Sequence, residues 1–224
     1  MAPQYELYTY YRSSCSARVR IAAAYKGISM SYRFVHLLNS EQMSEDYERI
    51  NASQSVPTLV ITEEGGQRTV IQQSVAILEY LEESHPESPK LLPASAAERA
   101  WIRQLVNIVA CDIQPVTNLR VLHKVKEIGV EVTQWQKPWM LHGLLAYEKT
   151  MLRQGVGRYS FGDTLTMADV VLAPAVDGAV RFGVDFDEIP NVKRVYDELQ
   201  NHEAFRAGSW TAQPDTPHQF REAC

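Results

Sequence analysis

The chain has 224 residues, 45% hydrophobic and 22% charged, the proportions of an ordinary globular protein and enough for one large core or two smaller ones. A net charge of −5 gives no electrostatic case for nucleic acid, and no apolar run reaches membrane-spanning length. Three cysteines (Cys15, Cys111 and Cys224) are odd in number and far apart, and six histidines lack ligand spacing. These features argue for a reducing, cytoplasmic setting without a disulfide framework or a metal site.

The start, Met1 to Glu6, has neither the charged head nor the apolar centre of a secretion signal. Tyr5 to Tyr10 is aromatic-rich and reads as a buried strand. After Ser13 and Ser14, the residues Val19, Ile21, Ala22, Ala23 and Tyr25 recur at helical spacing, and Gly27 supplies a stop. Arg12, Arg18 and Arg20 form a local basic surplus suited to a small acidic ligand. Tyr32 to Val35 predicts a second strand and Ser44 to Ile50 a short helix. Val56-Pro57 leads into a strand ending at Ile61, and the turn Glu64-Gly65-Gly66 joins it to Thr69-Val70-Ile71 as a hairpin. Ser74 then caps a helix carrying Val75, Leu78 and Leu81. The order βαβαββα calls for a mixed sheet with helices against it.

The proline-rich stretch over residues 85–95 marks a linker, and residues 96–224 read as an all-α bundle. A helix is expected from Glu98 to about Lys126, with Trp101, Leu105 and Ile108 on one face and a kink at Pro115. Further helices are expected over 139–152, 167–182 and 192–199. Thr166 and Asp169 have the form of a capping box, with Leu165 and Val170 as its staple, so Asp169 reads as structural. Cys111 reads as a helical core or groove residue and Cys224 as a free tail residue.

The chemistry concentrates at Ser13-Ser14-Cys15-Ser16. A strand running into this tetrad and then a helix places small polar side chains at a helix N-terminus, where unpaired N–H groups and the helix dipole favour an anion. Three readings are open from the tetrad alone. Cys15 is a reactive thiol, or the hydroxyls and N–H groups hold a thiolate brought by a ligand, or Ser13 caps the helix and Cys15 packs as a small residue. Context favours the second. A cis bond at Val56-Pro57 would present the Val56 backbone to an extended peptide, and Gln73-Ser74 opens a second helix N-terminus suited to a carboxylate. Thiolate, peptide and carboxylate sites together describe a pocket for glutathione.

At these residues the chain resembles the zeta class of glutathione transferases. The resemblance rests on Ser13 to Ser16 with Arg18 to Ala22, on Gln54, Val56 to Leu59, Gln73-Ser74 with Ala76-Ile77, and on Glu79 to Glu83. It continues through Ile113-Gln114-Pro115 with Asn118, Gly162-Asp163, Thr166 to Asp169, Arg181-Phe182 and Gln213-Pro214-Asp215-Thr216-Pro217, covering nearly the whole chain. It implies a thioredoxin-like domain over residues 1–84, an α-helical C-terminal domain over 96–224, and a homodimer. It further implies glutathione-dependent isomerisation of maleylacetoacetate to fumarylacetoacetate, a step of tyrosine and phenylalanine catabolism, with side activity on small α-halo acids. In that chemistry the thiolate adds to the cis double bond, rotation follows, and elimination returns glutathione unchanged.

Carried over, the resemblance makes Ser14 the donor to the glutathione sulfur, flanked by Ser13, Cys15, Ser16, Ala17 and Arg18. Val56 pairs with the peptide backbone, Gln73 and Ser74 hold a carboxylate, and Gln42, Gln114 and Asn118 are further contacts. Arg181, with Arg18, is matched to a carboxylate of the small acidic substrate. Ala17, where the family commonly has tryptophan, and Arg120, where a relative can carry serine, alter the pocket and its rim. The competing readings are thiol–disulfide exchange at Cys15 and a non-catalytic assembly module.

Overall fold

The computed structural model describes residues 3–221, so Cys224 lies outside the described residues. The chain forms two compact units: Lys90–His202, and the described residues on either side of that segment.

The first unit is built on a four-stranded sheet in the order β2-β1-β3-β4. β1 (Gln4–Thr9) pairs parallel with β2 (Ser31–Phe34) and antiparallel with β3 (Thr58–Thr62), which pairs antiparallel with β4 (Arg68–Gln72). The run Leu59-Val60-Ile61 is apolar without alternation because the central strand β3 is covered on both faces; all three side chains are buried. Pro57, which cannot donate to a ladder, sits just before β3. The helix α1 (Ser14–Lys26) ends at Gly27, whose φ of 69° is the left-handed conformation that a glycine adopts without cost. It buries Ala17, Val19, Ile21, Ala22 and Ala23, packing on α3 (Ser74–Ser84) on one side. The short α2 (Glu45–Glu48) is capped by Ser44.

Lys26 and Glu82 tie α1 to α3 through a buried ion pair of 2.6 Å, with the Lys26 ammonium also donating to Ser88 Oγ and the Pro89 carbonyl. The chain returns to this unit at its end. A helix α9 (Glu203–Gly208), which the apolar periodicity did not announce, packs on α1, and Gly208 lies so close to Ile21 that a Cβ there would sit 2.8 Å from the Ile21 backbone nitrogen. Residues 203–221 thus fold with the strands, although the sequence pattern grouped them with the helical half.

The second unit is helical: α4 (Ala96–Asn107), α5 (Leu119–Glu127), α6 (Val132–Gln154), α7 (Met167–Arg181) and α8 (Pro190–Gln200). The single helix expected from Glu98 to Lys126 is broken instead. Its wide turns at Ile108–Ile113 carry the bond from Gln114 N–H to the Val109 carbonyl, and Asn118 restarts the chain as the cap of α5. Pro115 supplies the reason, since it removes an N–H and its ring crowds the carbonyl four residues back. Trp101 is 43% exposed, and the buried face of α4 is Ile102, Leu105 and Val106. Cys111 is likewise exposed, so the core reading of it is corrected.

Two buried carboxylates hold helix starts in this unit. Asp169 accepts from the N–H groups of Ser160 and Thr166 and from the Thr166 hydroxyl, in the expected capping role. Glu148 on α6 accepts from Asn191 N–H, Val192 N–H and Asn191 Nδ2, capping α8 from outside it. Among the described residues no helix is long and apolar enough to cross a membrane, and no three His, Cys, Asp or Glu side chains are grouped to hold a metal.

Candidate active site

Strand register assembles the site. Tyr8 at the end of β1 pairs with Thr58 at the start of β3, and Thr58 pairs with Gln72 at the end of β4. One edge of the sheet therefore gathers the chain entering α1, the Val56-Pro57 turn and the chain entering α3. The sequence-predicted residues Ser13, Ser14, Cys15, Val56, Gln73 and Ser74 all follow or precede these three strand ends.

At the α1 entrance the two serines divide the work. Ser13 is the N-cap, its hydroxyl accepting the Ser16 N–H at 3.2 Å and its carbonyl accepting the Ala17 N–H at 2.9 Å. Ser14 and Cys15 are half-buried, and among the described residues neither their side chains nor their N–H groups take a partner. A hydroxyl and two unpaired N–H groups thus sit at the positive end of a helix dipole. Ser16 and Ala17 are buried, and the Ser16 hydroxyl is without a partner.

The basic surplus expected here turns inward. Arg18 is 2% exposed and donates from Nη1 to Ser74 Oγ at 3.1 Å, which joins the second turn of α1 to the first residue of α3. Its Nε is buried and unpartnered. Arg20 is 1% exposed, and burial lowers its pKa to about 10. Of the three arginines only Arg12 is exposed, so recruitment of an acidic ligand by the trio is corrected to one surface charge backed by Arg18.

At the second entrance, Ser74 is the first helical residue rather than the cap. The cap position belongs to Gln73, held at φ 71° and ψ 119°, a conformation that costs about 1–3 kcal/mol for a residue with a side chain. Its side chain makes no capping bond to the first N–H groups of α3.

The Val56-Pro57 bond is cis, and the Val56 backbone takes no backbone partner among the described residues. A network that the sequence reading missed holds this turn. Asn51, fully buried, donates from Nδ2 to the Ser55 carbonyl and to Thr58 Oγ1, each at 2.8 Å. Tyr47 Oη bonds the same two groups at 2.7 and 3.0 Å. The legible signal was a lone Asn five residues before Val56, too short a hint to separate a buried amide from a loop residue. Gln42, in the turn Glu41–Met43, buries its Oε1 without a partner.

The remaining expected contacts lie on the helical unit. Gln114 is half-buried, Asn118 accepts the Arg120 N–H as the α5 cap, and Arg120 is exposed. Arg181 is exposed in the last turn of α7, its guanidinium 5.9 Å from the centre of the Phe182 ring.

Comparison with known proteins meets this geometry. A glutathione S-transferase N-terminal domain matches residues 12–84 and a glutathione S-transferase C-terminal domain matches residues 136–207. Maleylacetoacetate isomerase of Emericella nidulans is 47% identical over 96% of this chain and 95% of its own. A structure described as a holo maleyl pyruvate isomerase, a bacterial glutathione S-transferase of the zeta class, superposes with a TM-score of 0.88 at 40% identity, covering 95% of this chain and 100% of that one. The chain belongs to the zeta class of the glutathione S-transferases. Maleylacetoacetate isomerase of Anaeromyxobacter dehalogenans 2CP-1, solved with glutathione in its active site, superposes equally well at 0.88 with 39% identity, covering 96% of this chain and 99% of that one. The thioredoxin-like sheet and the helical second unit are those of this family.

Proposed function

We propose that the zeta-class chain is a glutathione-dependent isomerase that converts maleylacetoacetate to fumarylacetoacetate, with the α1 entrance as its thiolate site. The observation that carries this is the Ser14 hydroxyl beside two N–H groups, none with a partner among the described residues, on a helix whose cap is already filled by Ser13.

The residues fit glutathione on their own geometry. The free Val56 backbone suits an extended peptide, and the uncapped start of α3 with Ser74 and the buried Arg18 behind it suits a carboxylate. Gln73 and Gln42 add polar groups that lack partners within the fold or are held in a strained pose. When bound, glutathione supplies a thiolate for reversible addition to a cis double bond, which frees that bond to rotate. Ser14 holds the sulfur by donating its hydroxyl hydrogen, and the Ser14 and Cys15 N–H groups with the α1 dipole stabilise its negative charge. Ser13 keeps that turn in register. Arg181, on the helical unit with Gln114 and Asn118, is assigned to a substrate carboxylate, for which a guanidinium fork is the natural partner.

The same site is assigned a side activity on small α-halo acids, since a held thiolate also displaces halide. The protein works as a homodimer in the cytoplasm. Relatives named maleylpyruvate isomerase, one of them 40% identical over 94% of this chain, make maleylpyruvate the competitor substrate. Thiol–disulfide exchange is favoured only by Cys15, half-buried in the first turn of α1.

The test is cis–trans conversion of maleylacetoacetate and maleylpyruvate with glutathione, without it, and with S-methylglutathione. Conversion with glutathione alone, and faster for maleylacetoacetate, is the expected result. Equal rates with S-methylglutathione contradict the thiolate mechanism. Cys15→Ala should retain most isomerisation; its loss, together with disulfide exchange by the native chain, supports the exchange reading instead.

A further inference from the structure

The loop between β1 and Ser14 is gripped from two sides. From behind, Arg20 of α1 donates Nη1 to Thr9 Oγ1 at 2.9 Å and to the Tyr10 carbonyl at 3.3 Å, and Nη2 to the Tyr11 carbonyl at 3.1 Å. From the C-terminal segment, Asp215 Oδ2 accepts the Tyr11 N–H at 2.8 Å, across 204 residues of sequence. Tyr11 is three residues from Ser14, and the Ser13 N–H closes the turn onto the Tyr10 carbonyl at 3.0 Å.

The segment that presents Asp215 is itself rigidly built. Gln213 is 4% exposed and donates to the Ala207 and Ser209 carbonyls at 2.9 and 2.6 Å. Thr216, 1% exposed, donates to the Trp210 carbonyl at 2.6 Å, and Arg221 donates to the carbonyls of Thr216 and Pro214. Arg20 Nε reaches the Gly208 carbonyl at 3.2 Å, so one guanidinium spans the loop and the segment. Such a network fixes Asp215, whose Oδ2 takes the Tyr11 N–H while its Oδ1 is buried without a hydrogen-bond partner among the described residues.

We propose that Asp215 is a positioning residue for the thiolate site, holding the Tyr11 peptide so that the following turn aims the Ser14 hydroxyl and the first N–H groups of α1. This rests on the assignment of Ser14 made above. Asp215 acts through the backbone of Tyr11. The half of the motif Gln213-Pro214-Asp215-Thr216-Pro217 that is buried builds the finger, and Asp215 is its tip.

Asp215→Ala, Asp215→Asn and Ser14→Ala are compared with the native chain in kcat per glutathione-binding site, KM, and the ultraviolet thiolate absorbance of bound glutathione at fixed pH. Asp215→Ala loses the acceptor and should lower kcat roughly tenfold, the factor matching one lost hydrogen bond of about 1.4 kcal/mol, with a smaller change in KM and less thiolate absorbance. Asp215→Asn keeps an oxygen for Tyr11 and should restore most of kcat. A structural role alone would lower Tm and the number of binding sites while leaving kcat per site unchanged, and that result overturns the proposal. So does an Asn variant as impaired as the Ala variant. If Ser14→Ala keeps the native rate, the thiolate-site assignment itself fails. If Ser14→Ala collapses turnover and Asp215→Ala does not, only the positioning role fails.

Discussion

The hydroxyls of Ser13 and Ser14 sit one residue apart and meet different partners. Ser13 Oγ accepts the Ser16 N–H, whereas Ser14 has no partner among the described residues. Ser14→Ala should therefore cut kcat/KM by about 100-fold, the usual cost of removing one hydrogen-bond donor to a reacting anion, with little change in urea stability. Ser13→Ala should do the reverse in stability, costing about 1 kcal/mol by loss of the cap. Steady-state kinetics and urea unfolding of the pair separate the two. The tetrad was legible in the sequence because small polar residues between a strand and a helical period leave few other readings. Which hydroxyl caps is not legible there, and the cap expected at Ser74 gives way to Gln73 in the cap position, without a side-chain capping bond. The arginines were misread for a related reason: charge alone does not show that Arg20 points inward to three carbonyls and a threonine.

At the scale of elements, the four strands and α1, α3, α7 and α8 lie where the sequence places them, and α6 extends its expected helix back to Val132. The exceptions are those whose form depends on distant chain. α9 is six residues long, too short for a period to show, and exists through its packing on α1. Gly208→Ala should destabilise the protein by about 1–3 kcal/mol through overpacking against Ile21, read as a lower Tm. Helix α8 begins at Ile189-Pro190, and its start is capped by Glu148 of α6. Glu148→Ala leaves one buried and one half-buried N–H group without an acceptor and should cost roughly 2–3 kcal/mol, seen as a shift of the urea midpoint with isomerase kcat little changed. No local pattern announces a cap supplied across 43 residues.

For the whole molecule, the division into a sheet unit and a helical unit was readable from the change of period after the proline-rich stretch. The return of residues 203–221 to the first unit was not, because it rests on long-range bonds that composition does not encode, from the Tyr11 N–H to Asp215 and from Arg20 to the Gly208 carbonyl. Burial also shapes the response to alkali. Tyr5, Tyr8, Tyr10, Tyr32, Tyr47 and Tyr147 have pKa values raised above 10, chiefly by desolvation of the phenolate, with Tyr5 reaching about 12. These phenols keep their protons to higher pH in the native state than in the unfolded chain. The stability they carry is thus complete below pH 10 and is lost as pH rises through their native values. At pH 10 the native protein should show clearly less tyrosinate absorbance than the same protein in denaturant, and its Tm should fall as pH rises above 10.

Isomerisation depends in this account on a thiolate stabilised at the entrance of α1. The most direct measurement is an ultraviolet pH titration of glutathione bound to the native protein and to Ser14→Ala. The thiol pKa is expected to lie below the ordinary value of about 8.5 in the native complex and to return toward that value in the variant. An equal pKa in both complexes, or one no lower than that of free glutathione, would contradict it.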